Sequence, residues 1–485
     1  MSKFLSNILK LSSATLFGQF LGFVLTPVLS RIYSPADFGL FQVFFSIVGI
    51  ITIISCFSYH RAVMLPKKDE EAASIVMLCL LLVIITTTIS TIFFYLFSGS
   101  IEKTLNAPGL FSLILLFPLA IICNSVAYIL GSWVSRKEEF GTLARGNIYS
   151  SITGKAVSIG SGIMSPSPAG LILGTIVNDA TIAVVLLRKT LTHIHFFNNT
   201  SFERLKQVAI RYKKFPQYNA GANLASTAVG HSTPILLAFF FTPVVVGLYA
   251  MAHMIIFLPS RLMGNSIATV FFQKACVEKN LTGTIKIIVK KVHTRLVSIG
   301  MFICLIIMII GPELFSFFLG AQWSVAGDYA RILAPWFFIS FISTPLFSIF
   351  AVMEKQGASL WFNILLLISN VSILVISGRL GDPILSMLLL SVTGVIFWTW
   401  MNMFLLKLAG VSVRDAMMEI IRYLVFGVLV CIPLLIVKYF SVSSVLLFVV
   451  AGAVTMVYYS IVIHQDDQLK TGLLQLLGSV LHTRK

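Results

Sequence analysis

Apolar and polar positions alternate along this chain on a long scale. Fourteen apolar stretches of about twenty residues run over 9–29, 38–57, 72–97, 110–133, 143–164, 169–187, 220–241, 244–262, 294–310, 332–352, 360–376, 383–406, 421–437 and 445–463. Short polar breaks separate them. Twenty apolar residues at 1.5 Å rise cover the hydrocarbon thickness of a bilayer as a helix. Barrel strands would be about ten residues long with alternating polarity, and no such alternation runs through the sequence. The pattern predicts an all-α integral membrane protein with about fourteen transmembrane helices. The fifth, seventh and eighth stretches are the least apolar, with Gly, Ser, Thr, Asn or His among their residues.

The breaks repeat. "SPADFGLF" at 34–41 joins the first two stretches, and "TPVVVGLY" at 242–249 joins the seventh and eighth. Proline suits the first turn of a new helix, and a glycine four residues on lets that turn pack closely. Six helices separate the copies, so both lie on the same side of the membrane, as in a parallel internal repeat. A fainter pair, "SRKEEFGTLARGN" at 135–147 and "MEKQGASLWFN" at 353–363, follows the fourth and tenth stretches. The expected organisation is two pseudo-symmetric six-helix bundles plus two extra C-terminal helices. An N-terminal lobe covers 1–190, a basic connector 191–216, a second lobe 217–407, and appended helices 13 and 14 with a tail 408–485. Within the connector, "FERLKQVAIRYKKF" sets Phe202, Leu205, Ala209 and Tyr212 at helical spacing among basic residues. That pattern suits a helix on an anionic lipid surface, or a solvated loop. The basic segment "KIIVKKVHTR" occupies the matching place after the eighth stretch.

Composition agrees: 57% of the 485 residues are hydrophobic and 11% charged, too little charge to cover a soluble chain of this length. The net charge of +17 acquires meaning only on the loops. With the N-terminus inside, 29 of the 35 Lys and Arg fall on the inner side and 5 on the outer, while Lys155 falls within a span. This split places both termini in the cytoplasm and accounts for the charge without nucleic acid. Lys3 and Lys10 precede the first stretch with no small-residue cleavage site after it, as in an uncleaved first helix. The six cysteines form no C-x-x-C pair, so neither a metal site nor a disulfide framework is expected. No Walker motif or other cofactor-binding motif occurs.

The run "LTPVLSRIYSPADFGLFQVFFSIVGIITI" followed by "RAVMLPKKDEEA" resembles the start of bacterial polysaccharide flippases. These are the Wzx-type O-antigen and capsule translocases of the multidrug/oligosaccharidyl-lipid/polysaccharide exporter (MOP) superfamily. The similarity is densest over residues 10–75. The chain has "HRA" at 60–62 where family members often have "ELA". The resemblance implies a MATE-like, V-shaped pair of six-helix bundles around a central cavity, in the bacterial inner membrane. It implies an ion-coupled flippase that carries an undecaprenyl-diphosphate-linked oligosaccharide to the periplasmic leaflet. The partners it implies are membrane lipids, a polysaccharide polymerase and a chain-length regulator. Two other classes stay open: a MATE-like cation-coupled exporter of small molecules, and a polytopic polymerase or ligase. Such an enzyme needs a large outer loop with catalytic groups. The longest outer segment, 312–331, holds Glu313, Asp328 and Arg331 but no nucleophile–base set.

Polar residues within the spans give the candidate site. Lys155 and Asp179 are the only deep charges of each sign, at depths of roughly 12 and 15 Å by helical rise. They form either a self-neutralising pair or a coupling and substrate-binding pair. A diphosphate calls for cations and amide donors, and sugars call for amides, hydroxyls and aromatic faces. The candidate substrate-binding residues are Arg31, Arg61, Arg145, Lys155, Arg261, Asn124, Asn178 and Asn223. Asp179 and His253 are the candidates for ion coupling, and His231 titrates in the same range.

Overall fold

The computed structural model describes residues 3–198, 201–440 and 443–465. The basic tail expected after Gln465 lies outside them. Regular structure among the described residues is helical throughout. In chain order the helices are α1 (Lys3–Ile32), α2 (Pro35–Ser55), α3 (Asp69–Thr104), α4 (Leu116–Arg136), α5 (Phe140–Met164) and α6 (Pro168–Leu191). Then follow α7 (Phe202–Arg211), α8 (Ala220–Phe240), α9 (Pro243–Ile256), α10 (Leu258–Thr282), α11 (Lys286–Leu319) and α12 (Ser324–Ser343). The last are α13 (Ile349–Val352), α14 (Gln356–Arg379), α15 (Pro383–Leu408), α16 (Val413–Tyr439) and α17 (Ser444–Gln465). Eleven segments among the described residues are long and apolar enough to cross a membrane. Neither α5 nor α8 is among them, and α9 is a shorter apolar helix. These are the three stretches that carry the polar residues.

The expected boundaries shift at three places. The eighth stretch ends as α9, and the chain continues as helix through α10. The basic run Lys286–Arg295 forms the first turns of α11 rather than a separate surface helix, because no breaker separates it from the apolar residues that follow. The segment 312–331, expected on the outer side, is mostly helical, with α11 running to Leu319 and α12 starting at Ser324. Its Phe-rich sequence continues the apolar face past a bend at Ile310 (φ −119°, ψ 22°), two residues before Pro312.

Both Pro–Gly turns have the same local build. Ser34 and Thr242 are extended N-caps (ψ 162° and 161°), each followed by a proline. Ser34 completes a capping box with Asp37, while Thr242 makes no side-chain cap bond. The second pair of turns matches as well. Glu138 (φ 56°) and Glu354 (φ 57°) are left-handed. Glu139 N donates to Val134 O at 3.1 Å and Lys355 N to Phe350 O at 2.8 Å, the six-to-one bond of a Schellman end.

The chain divides into two compact units. The first comprises Met1–Leu258, Phe315–Tyr329 and Gly357–Thr393, and the second Pro259–Leu314, Ala330–Gln356 and Gly394–Lys485. In the first unit small residues bring helices close, as membrane helices require. A Cβ added to Gly154 on α5 would lie 2.7 Å from Gly174 O on α6, and one added to Gly174 would lie 2.7 Å from Gly154 O. The two Pro–Gly turns meet each other in the same reciprocal way. A Cβ on Gly39 would overlap the Pro243 carbonyl, and one on Gly247 would overlap the Pro35 carbonyl.

The amphipathic connector helix α7 packs most of its apolar stripe against the protein, while Phe202 at its start is exposed. Val208 and Tyr212 are buried, and Leu205 and Ala209 pack beside them against Tyr59, Val63 and Ala72. Tyr59 Oη donates to Ala209 O at 2.9 Å, and Arg211 pairs with Glu71 at 2.7 Å. Burial, and then the Glu71 carboxylate, raises the pKa of the Tyr212 phenol. Beside this helix Arg136 reaches Asp69 Oδ1 (3.0 Å), Val63 O (3.0 Å) and Pro66 O (2.8 Å). Lys137 holds the other Asp69 oxygen at 2.5 Å.

In the second unit α17 lies on α11, where Tyr458 and Tyr459 donate to the carbonyls of Ser298 and Ile299. Lys438 of α16 pairs with Glu313 at 2.9 Å and donates to the Ile309 carbonyl beside the α11 bend.

Candidate functional site

Two adjoining cavities lie within the first unit. The larger, of about 600 Å³, is bounded by α1, α4, α5 and α6. The smaller, of about 400 Å³, is bounded by α2, the turn after it, α4 and α8. They share Asn124 and Tyr128, one turn apart on α4, so this helix forms their common wall. Both volumes fall in the range of ligand pockets.

The smaller cavity depends on an unusual turn. After α2 ends, Phe57 (φ 46°) and Ser58 (φ 61°) are left-handed in succession, a conformation that costs non-glycine residues energy. It swings the chain into the short 3-10 helix Tyr59–Met64, which brings His60 and Arg61 to the cavity. Asn223 on α8 donates to Ser58 Oγ at 3.0 Å, tying the turn to the facing helix. Cys56 Sγ lies 3.2 Å from His60 Nδ1. His231 also lines this cavity. Its ring lies where a side chain on Gly49 would be, and its buried Nδ1 has no hydrogen-bond partner.

The larger cavity is polar in another way. Asn124 Nδ2 donates to Asp179 Oδ2 at 2.8 Å. Asn178 lies beside them, and Gln19, Asn147 and Ser151 face the same space. The buried Gln19 Oε1 has no hydrogen-bond partner. Asp179 is the one charged group among the described lining residues.

Of the residues singled out from the sequence, Asn124, Asn178 and Asp179 line the larger cavity. Arg61, Asn223 and again Asn124 line the smaller. Arg31, in the last turn of α1, and Arg145, on α5, are exposed and line neither cavity. His253 stacks on Phe257 along α9 with ring centroids 4.3 Å apart. Arg261 is exposed and belongs to the second unit. Lys155 and Asp179 form no ion pair. Gly154 packs against Gly174 and Asn178 of α6, while Lys155, one position on, lies beside α1. Its Cε would lie 3.8 Å from a Cβ on Gly22. Gln19, His60, Tyr128, Asn147 and Ser151 were not singled out from the sequence. For α5 the signal was there: Asn147, Ser150, Ser151, Gly154 and Ser158 recur at helical spacing in the least apolar part of the first lobe.

A helical membrane scaffold of this kind, with polar cavities between its spans, has the fold of the MOP-type transporters. The lipid II flippase MurJ, in an inward closed conformation, superposes with a TM-score of 0.71 at 15% identity, covering 94% of this chain and 99% of that one. An inward-facing multidrug resistance MATE family transporter of the MOP superfamily gives 0.52 at 15% identity, with 83% and 96% covered. A mutant of the Vibrio cholerae MATE transporter VcmN gives 0.55 at 14% identity, again with 83% and 96% covered. No curated protein sequence matches the chain significantly. The polysaccharide biosynthesis protein family model matches residues 28–328; this is more than half of the chain, and the protein belongs to that family.

Proposed function

We propose that this protein flips a lipid-linked oligosaccharide across the bacterial inner membrane, with both termini in the cytoplasm. The cargo in this reading is an undecaprenyl-diphosphate-linked O-antigen or capsule repeat unit. It moves from the cytoplasmic to the periplasmic leaflet by alternating access and passes to a polymerase working with a chain-length regulator. Family membership and a fold shared with a lipid II flippase support the class. The observation that carries the reading is the pair of adjoining cavities, one bearing Arg61 and amides, the other hydroxyls and amides. Arg61 and Asn223 are then the groups for the diphosphate, and Asn124 and Asn178 meet the sugars. Asp179, whose hydrogen bond is to a neutral amide, is the group we assign to ion coupling. The two-lobe division into 1–190 and 217–407, joined by 191–216 and followed by 408–485, belongs to the same reading. An exporter of organic cations would want several carboxylates in the cavity, and Asp179 stands alone among the described lining residues.

Deletion of the gene in its native host tests this. Surface polysaccharide should disappear and lipid-linked repeat units should accumulate on the inner leaflet. A plasmid carrying Arg61→Gln should restore less than a tenth of the polysaccharide at wild-type protein level by blot. Full restoration by both Arg61→Gln and Asp179→Asn would overturn the assignment of the site.

A further inference from the structure

We propose that the two cavities divide the cargo by charge, and that the larger one admits neutral, N-acetylated or amino sugars and rejects carboxylated ones. This rests on the flippase reading above and names the sugar class that reading leaves open. The smaller cavity holds Arg61, His60 and His231, with the Asn223 amide, and supplies cationic or donor groups for a diphosphate. The larger cavity holds no Lys, Arg or His among its described lining residues. Its polar groups are the amides of Gln19, Asn124, Asn147 and Asn178 with serine and threonine hydroxyls. Such groups both donate and accept, as sugar hydroxyls and acetamido groups require.

A uronic acid entering this cavity would lose water with no cation to pair it. It would also meet Asp179, a charge of its own sign. An amino sugar would meet the same carboxylate favourably. The linings of the two cavities share Asn124 and Tyr128, so the sugar next to the diphosphate would meet these two residues. Tyr128 is 62% exposed and lines both cavities, so its ring is available for that sugar to rest on. Lys155, which the sequence placed at similar depth, lies beside Gly22 of α1 and is not among the described lining residues of the sugar cavity.

The test uses the full-length protein in lipid nanodiscs at pH 8 with three probes. These are farnesyl diphosphate, farnesyl diphosphate bearing an N-acetylglucosamine disaccharide, and the same disaccharide ending in glucuronic acid. Farnesyl diphosphate should bind, and Arg61→Gln should weaken it at least tenfold. The neutral disaccharide probe should bind at least tenfold tighter than farnesyl diphosphate. The glucuronic probe should bind at least tenfold more weakly than the neutral one. Ala127→Lys, in the lining of the larger cavity, installs a cation without removing a candidate ligand and should raise glucuronic-probe affinity at least tenfold. Asp179→Asn should raise it in the same direction. Equal binding of the two disaccharide probes to wild type, with farnesyl diphosphate still bound through Arg61, overturns the charge division and leaves the flippase reading intact. Failure of all three probes to bind overturns both.

Discussion

Arg136 holds three separate pieces of backbone and side chain that a lysine could not. Its Nε meets Asp69, while its two terminal nitrogens meet the carbonyls of Val63 and Pro66. A guanidinium offers five donors in a fixed fork, whereas an ammonium offers one point charge. The side chain is 12% exposed, so removal leaves a partly buried carboxylate with Lys137 alone and two carbonyls without this donor. Arg136→Ala should cost on the order of 2–3 kcal/mol, read as a fall in melting temperature of the purified protein. Arg136→Lys should recover less than half of that loss. Recovery to wild type by Lys would mean that charge alone matters here. The sequence makes Arg136 legible only as one of many inner-side cations, because Val63, Pro66 and Asp69 lie 67 to 73 positions away. The same limit explains the site. Asn124 and Asp179 stand out as polar residues in apolar runs, but their hydrogen bond spans 55 positions. Lys155 lies beside α1, and composition alone does not say which face of α5 meets α6.

Between helices, the repeated Pro–Gly turn carries more than its turn. Gly39 and Gly247 sit one turn into α2 and α9, and each leaves room for the carbonyl of the other turn's proline. The repeat was readable from eight residues at each end. That the copies pack against each other was not, since nothing in either octapeptide names its neighbour. A helix interior ordinarily favours Ala over Gly by about 1 kcal/mol. Here a Cβ would overlap backbone, which cannot rotate away. Gly39→Ala and Gly247→Ala should therefore each destabilise the protein by about 1–3 kcal/mol. Gly160→Ala on α5, where nothing lies within 4 Å of the added carbon, should be neutral or stabilising. Thermal unfolding of the three variants in one detergent checks the ranking. Equal stability of Gly39→Ala and Gly160→Ala would show that the two turns do not rely on this contact. The connector shows the opposite limit. Its helical period was legible in "FERLKQVAIRYKKF", but a period does not say whether the apolar face meets lipid or protein. Tyr59 and Ala72 decide that from far upstream.

Across the whole molecule, the fold was legible because the bilayer restricts the choice. Long apolar runs must be helices there, and the runs that fall short of that standard, α5, α8 and α9 among them, include two of the helices that line the cavities, α5 and α8. On α5 and α8 the polarity that lowers the hydropathy signal also lines the cavities, whereas Asn124 and Asp179 belong to α4 and α6, which are apolar enough to cross a membrane. Orientation rests on a different quantity, the distribution of Lys and Arg. A 29-to-5 imbalance is large enough to resist reversal by any single loop. Lys103 lies in the last turn of α3, Arg379 ends α14, and Lys213 follows α7. Reporter fusions after Lys103 and Arg379 should therefore be active as periplasmic alkaline phosphatase and silent as cytoplasmic fluorescent protein. A fusion after Lys213 should behave in the reverse way. The Lys213 fusion is the stricter test, because α7 docks on the end of the first unit that Arg136 holds together, and that end carries much of the charge expected on the inner side. A periplasmic signal after Lys213, or a cytoplasmic one after Lys103, would reverse the orientation of every span and with it the side from which Arg61 is reached.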